Sequence, residues 1–199
     1  MNLNRKLGEM DYDGLISDPT PPVQKRSGTI DRLATAATLK RGTIMVKGSA
    51  SKKLFVLGDT ETYEKHASFT GNGSTVAFTI TDKPAAEDIV GVTIDSATKV
   101  VTTDYSYVAG TGVMTFVSAP ADGKAIIVTY KLTDLGTVDC ILCDDTEVGT
   151  SGDVPVTVYT AGCFDPDKVT VASGHTITDA EYKQMREYGI VFKAALDAN

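Results

Sequence analysis

Apolar residues in this chain fall mostly in short alternating runs, cut by breaks rich in Gly and Pro. Alternation places every second side chain on one face, so such runs can be buried only as β-strands. Val76, Phe78 and Ile80 share a face in this way, as do Val90, Val92 and Ile94, and Ile126, Val128 and Tyr130. The breaks between them are Gly71-Asn72-Gly73, Asp82-Lys83-Pro84, Gly110-Thr111-Gly112 and Pro120-Ala121-Asp122-Gly123. Strands at this spacing predict a small antiparallel sandwich or barrel over 64–132, with no helix inside it.

The flanking segments have a different texture. Thr43–Lys47 reads as a β-branched strand, Gly48–Ser51 as a turn, and Lys53–Leu57 as the returning strand. Thr137–Cys143 reads as another. Val154, Val156 and Val158 alternate along a third, and Pro155 places it at an edge or a strand start. One segment has helical signals. Thr178 and Glu181 form a capping box, Ile177 and Tyr182 a hydrophobic staple, and Gly189 a left-handed stop that lets Ile190 fold back on Met185. A helix over Asp179–Tyr188 and a strand over Ile190–Lys193 follow.

These textures divide the chain. Residues 1–29 read as an arm, because Pro19, Pro21 and Pro22 forbid helix and Leu15, Ile16 and Val23 have no local apolar partners. Residues 30–63 and 133–199 read as one discontinuous host domain. The all-β module 64–132 is inserted into a loop of it, as insertion at a surface allows.

Charge bounds the partners. The 199 residues carry a net charge of -7. Residues 1–41 hold seven Lys/Arg against five Asp/Glu, and the rest twelve against twenty-one, so a slightly basic start precedes an acidic body. That balance argues against a duplex nucleic-acid binder, which needs a basic face. No apolar run reaches the ~20 residues of a membrane span, and Met1–Glu9 lacks the apolar core of a secretory signal.

The reactive residue types are few. Cys140 and Cys143 match C-x-x-C, but on a strand residues three apart point to opposite faces. With Cys163 they read as three buried, reduced thiols, which fits assembly in a reducing cytoplasm. His66 and His175 read as ordinary surface residues in no catalytic pattern. Asp144-Asp145-Thr146-Glu147 and Asp165-Pro166-Asp167 read as solvated turns, with Asp165 opening an Asx turn. Gly71-Asn72-Gly73 reads as a hairpin turn rather than a phosphate loop. No metal, no cofactor and no catalytic residue is expected, which favours a structural or binding protein over an enzyme. Tyr105 and Tyr107 share a strand face and have two readings, a carbohydrate-stacking patch or packing in the module's core.

Four ordered segments resemble the lambda-type head decoration proteins of tailed bacteriophages: Leu39–Ile44, Val138–Asp145, Gly152–Tyr159 with Gly162-Cys163-Phe164, and Met185–Lys193. Cys140 departs from the family's usual Gly, and the insert is absent from compact members. The insert itself resembles a module of phage tail-fibre and surface proteins, through Phe69–Ile80, Asp104–Tyr107, Met114–Gly123 and Ile126–Tyr130. The resemblance implies a mainly β fold: an α+β, β-tulip-like host domain with one C-terminal helix, plus an all-β, immunoglobulin-like sandwich. It implies a protein on the outer surface of the virion capsid, made in the host bacterial cytoplasm. There it would be a homotrimer that binds the major capsid protein and stabilises the expanded head. The arm, with Leu15, Ile16, Pro19, Pro21, Pro22 and Val23, would carry the capsid contact. The alternative is adhesion to a host-surface or glycan ligand through the insert, at Tyr105 and Tyr107.

Overall fold

The computed structural model describes residues 14–194. It is mainly β, with 47% of residues in strands and 8% helical. In chain order the strands are β1 (Ile16–Asp18), β2 (Gln24–Ile30), β3 (Ala37–Leu39), β4 (Ile44–Lys47) and β5 (Leu54–Val56). Then come β6 (Glu61–Thr70), β7 (Ala77–Thr79), β8 (Ile89–Ile94), β9 (Ala97–Thr98), β10 (Tyr105–Val108), β11 (Val113–Phe116) and β12 (Ala125–Asp134). The last are β13 (Thr137–Leu142), β14 (Thr146–Val148), β15 (Val154–Phe164), the helix α1 (Asp179–Glu187) and β16 (Ile190–Phe192). The chain divides into two compact units, one made of residues up to Thr60 and from Leu135 onward, the other of Glu61–Asp134.

In the first unit, β15, β13, β4, β5 and β2 pair in sequence, and β2 pairs back onto β15. Five strands thereby close a barrel, which leaves no open edge among them. Ile30, Met45, Leu54, Cys140, Leu142 and Val158 come from all five strands and form one buried cluster, the barrel's interior. Alternate residues Ile44, Val46, Ile141 and Tyr159 face the other way. They pack with Leu15, Phe164, Met185 and Ile190 into a second cluster. The ten-residue run from Thr178 to Glu187 folds as its signals dictate. Thr178 Oγ1 accepts from the Glu181 backbone N–H, and the Glu181 carboxylate accepts from Thr178 N–H at 2.7 Å. Gly189 has φ +89°, the left-handed stop that a side chain would strain.

The arm expectation is corrected for every residue the structure describes. Ile16 pairs with Phe164 and Asp18 with Cys163, while β2 pairs with β15 from Val154↔Ile30 to Ala161↔Gln24. Ile16–Asp18 and Gln24–Ile30 are therefore strands of the sheet, joined by the proline turn. Residues 1–13 of the expected arm lie outside the described residues.

In the second unit, β6-β12-β8-β9 form one antiparallel sheet and β10-β11-β7 another. Ile80, Val92, Met114, Phe116, Ile126, Val128 and Tyr130 fill a single core between them. β6 and β12 pair along ten positions, from Thr70↔Ala125 to Glu61↔Asp134. The sequence division at 64 and 132 falls inside this ladder, which starts three residues earlier and ends two later. Three details differ from the sequence reading. Gly71-Asn72-Gly73 is no hairpin: it carries the chain from β6 in one sheet to β7 in the other. Val90 is 51% exposed, because a register shift between Thr129 and Tyr130 turns it out of the row of Val92. Lettered A to G in chain order, the strand order is A-G-C-D over E-F-B, not the ABED over CFG of an immunoglobulin constant domain.

Candidate functional site

The segment expected to bind a partner is anchored where it was expected to be free. Leu15 is 1% exposed, deep in the cluster beneath α1, and its carbonyl accepts from Asp165 N–H at 2.9 Å. A residue so placed contributes to folding, not to a contact. Ile16 and Val23 pack half-buried against the same cluster, and Pro21 is half-buried. Asp18 is tied to Lys193 at 2.8 Å, and this pairing with the Thr20 N–H holds its carboxyl below the usual range. Only Pro19, Thr20 and Pro22 of the proline turn are exposed, followed by Gln24, Lys25, Arg26 and Ser27 along β2.

This exposed strip runs beside a cationic feature that sequence reasoning missed. Tyr159, 2% exposed, has Lys25 Nζ 5.1 Å and Arg41 Cζ 5.5 Å from its ring centroid. Both distances fit cation–π attraction. Arg41 also donates to Tyr159 Oη at 2.6 Å and to the Cys143 carbonyl at 2.7 Å, which fixes its direction. Arg26 forms an ion pair with Asp139. The signal in the sequence was the positive balance of residues 1–41; the ring that gathers Lys25 and Arg41 lies far downstream.

Tyr105 and Tyr107 are brought to the inside of the sandwich rather than to its surface. Tyr105 is 6% exposed in the core, and the Tyr107 hydroxyl donates to the Pro84 carbonyl at 2.9 Å. Burial pushes both phenols above their usual range. The carbohydrate-stacking reading is thus replaced by core packing, the cross-strand alternative. Among the apolar residues that the second unit exposes are Val100, Val101 and Val117, at 56, 53 and 71%. Val100 N–H bonds the Asp104 carboxylate and Val117 N–H bonds its carbonyl. Val100 and Val117 thus share Asp104 as a partner.

The chemically reactive types are spent on structure. Cys140 lies in the barrel interior and Cys143 in the outer cluster, on opposite faces, and all three thiols are buried and unpaired with one another. Burial, reinforced by Asp139, pushes the Cys140 thiol far above its usual range. His175 is within 3.2 Å of Glu181 at the start of α1, so it is packed rather than free on the surface. His66 Nδ1 is 2.9 Å from Thr129 Oγ1 on the exposed side of β6. Asp165 caps a short 3-10 turn, accepting from Asp167 N–H at 3.0 Å, and is buried rather than solvated. Asp145 accepts from the Arg41 N–H at 2.8 Å and from Lys40 at 2.7 Å. Among the described residues no group of His, Cys, Asp or Glu is placed to hold a metal ion. None of their helices is long and apolar enough to cross a membrane. No family model, curated protein or solved structure matches this chain.

Proposed function

We propose that the chain is a structural virion protein that binds the outside of an expanded phage capsid and cements it, and that it is not an enzyme. The sequence resemblance supplies the family. The observation that carries the reading furthest is the strip Pro19–Arg26 beside the Lys25–Tyr159–Arg41 cluster. It is an exposed cationic stretch of an otherwise acidic chain, carried on a closed barrel. A face of that sign suits an acidic shell surface, with the major capsid protein as partner. A ligand that binds only the expanded shell stabilises that state by mass action. Assembly as a homotrimer would multiply three modest contacts into high avidity. On this reading the capsid contact is made by the exposed strip and residues 1–13, with Leu15 as their anchor. The second unit is a two-sheet sandwich dispensable for cementing.

Co-sedimentation with expanded heads tests the face. Lys25→Glu should weaken binding and reduce its dependence on salt, while the chain keeps a single cooperative melt lowered only by the lost contact with Tyr159. Wild-type binding by both Lys25→Glu and a chain lacking residues 1–13 contradicts the proposal. A second reading, adhesion through the inserted unit, draws on its exposed valines, Val100, Val101 and Val117. That surface suits a protein ligand better than a sugar.

A further inference from the structure

Among the described residues, the longest exposed edge in the second unit is β6, ten residues with β12 on one side and no strand on the other. Such an edge presents a row of unpaired backbone groups and is a template for another strand. Its side chains sort by register, since residues opposite one another share a face. Ala67 lies opposite Val128, and Phe69 opposite Ile126, both partners fully buried. Tyr63 and Phe69 are half-buried in the same row, and Phe69 meets Phe78 of β7 at 5.3 Å between centroids, which seals the two sheets. The outward row is Thr62, Glu64, His66, Ser68 and Thr70.

Glu61 heads the inward row at the base of the ladder, and one residue within the row breaks the apolar pattern. Lys65 lies opposite Tyr130, whose side chain is in the core, yet it is a charge between Tyr63 and Ala67. Its ammonium pairs with Asp82 at 2.7 Å, and the same carboxylate accepts the Tyr130 hydroxyl at 2.5 Å. The pair sits at the mouth of an open cleft of about 350 Å³ between β6 and β7, lined also by Thr79 and Thr81. Lys65 keeps 49% of its side chain in solvent and Asp82 27%.

We infer that Lys65, held by Asp82, guards β6 against the addition of a second copy's β6. A strand laid beside β6 would cross the mouth of the cleft and dehydrate the ion pair, a loss that the new backbone bonds must exceed. An inward-pointing charge on an edge strand is a known way to block edge-to-edge association. On a surface crowded with copies, an unguarded edge of this length would join neighbouring molecules. The pairing it blocks is antiparallel about a two-fold axis, β6 on β6.

The test is sedimentation of the full chain over a range of concentrations, for wild type, Lys65→Val, Lys65→Met and Lys65→Val/Ala67→Lys. Wild type should hold one mass at all concentrations. Folded Lys65→Val should at least double that mass as concentration rises, with cross-links mapping to β6. Lys65→Met, which keeps the stem and covers the case in which Val disrupts the strand, should do the same. Ala67→Lys, restoring one charge to the inward row, should return the wild-type mass. The inference is overturned if folded Lys65→Met and Lys65→Val keep the wild-type mass, if the restored charge changes nothing, or if wild type already associates through β6.

Discussion

Glu61, the first residue of β6, lies directly opposite Asp134, the last of β12. The second unit thus begins and ends on one pair of adjacent residues. Replacing residues 62–133 by a short Gly/Ser linker should leave the first unit folded, because among the described residues its strands pair with one another and not with those of the second. The shortened chain should melt in one cooperative transition. Loss of that transition would show that the barrel depends on the insert.

Leu15 separates two roles in the N-terminal segment. Deleting residues 1–13 should leave the melt unchanged, whereas deleting 1–22 removes β1 and a buried leucine and should unfold the first unit. Leu15→Ala should cost about 2–5 kcal/mol, the range for a leucine cut from a packed core. A urea midpoint equal to wild type for Leu15→Ala would place Leu15 outside the core.

What could be read in the sequence was what neighbours in sequence decide. The capping box at Thr178, the stop at Gly189 and the hairpin of β4 and β5 each depend on residues a few positions apart, and each lies where the sequence put it. What could not be read was pairing across the chain. Ile16 and Val23 looked unpartnered because their partners, Phe164 of β15 and the cluster around it, are distant in sequence. Gly71-Asn72-Gly73 looked like a hairpin because its local chemistry suits one. Gly73 N–H instead bonds the Pro120 carbonyl, and a Cβ at Gly71 would lie 2.5 Å from the Ala121 carbonyl oxygen. The candidate site suffered in the same way: Lys25 and Arg41 are visible as charges, but nothing local shows that Tyr159 gathers them.

Thr178→Ala should cost about 1 kcal/mol through loss of the cap. Its pH dependence follows from Glu181. Burial opposes ionisation there, but hydrogen bonds from Thr178 N–H and hydroxyl, with His175 nearby, outweigh it and hold the carboxyl below its ordinary 4.5. A depressed folded pKa contributes stability above the unfolded value that is lost as the pH falls through the folded one. The gap in melting temperature between wild type and Thr178→Ala should therefore be widest above pH 4.5 and shrink below it. A gap independent of pH would refute the coupling.

Tyr130 sets the opposite limit. Burial, then the bond to Asp82, pushes its phenol far above the ordinary 10.0. A raised folded pKa means stability fully present below pH 10.0 and lost as the pH rises toward the folded value. The second unit should weaken above that pH, and Tyr130→Phe should flatten the decline. Native titration of all the tyrosine absorbance near the ordinary value would contradict this.

The central claim is preference for one state of a capsid. Its most direct measurement is binding of the purified chain to expanded and unexpanded phage heads, at equal concentrations. The account predicts saturable binding to expanded heads, negligible binding to unexpanded ones, and greater resistance of the bound heads to disruption. Equal binding to both, or binding to neither, would contradict it.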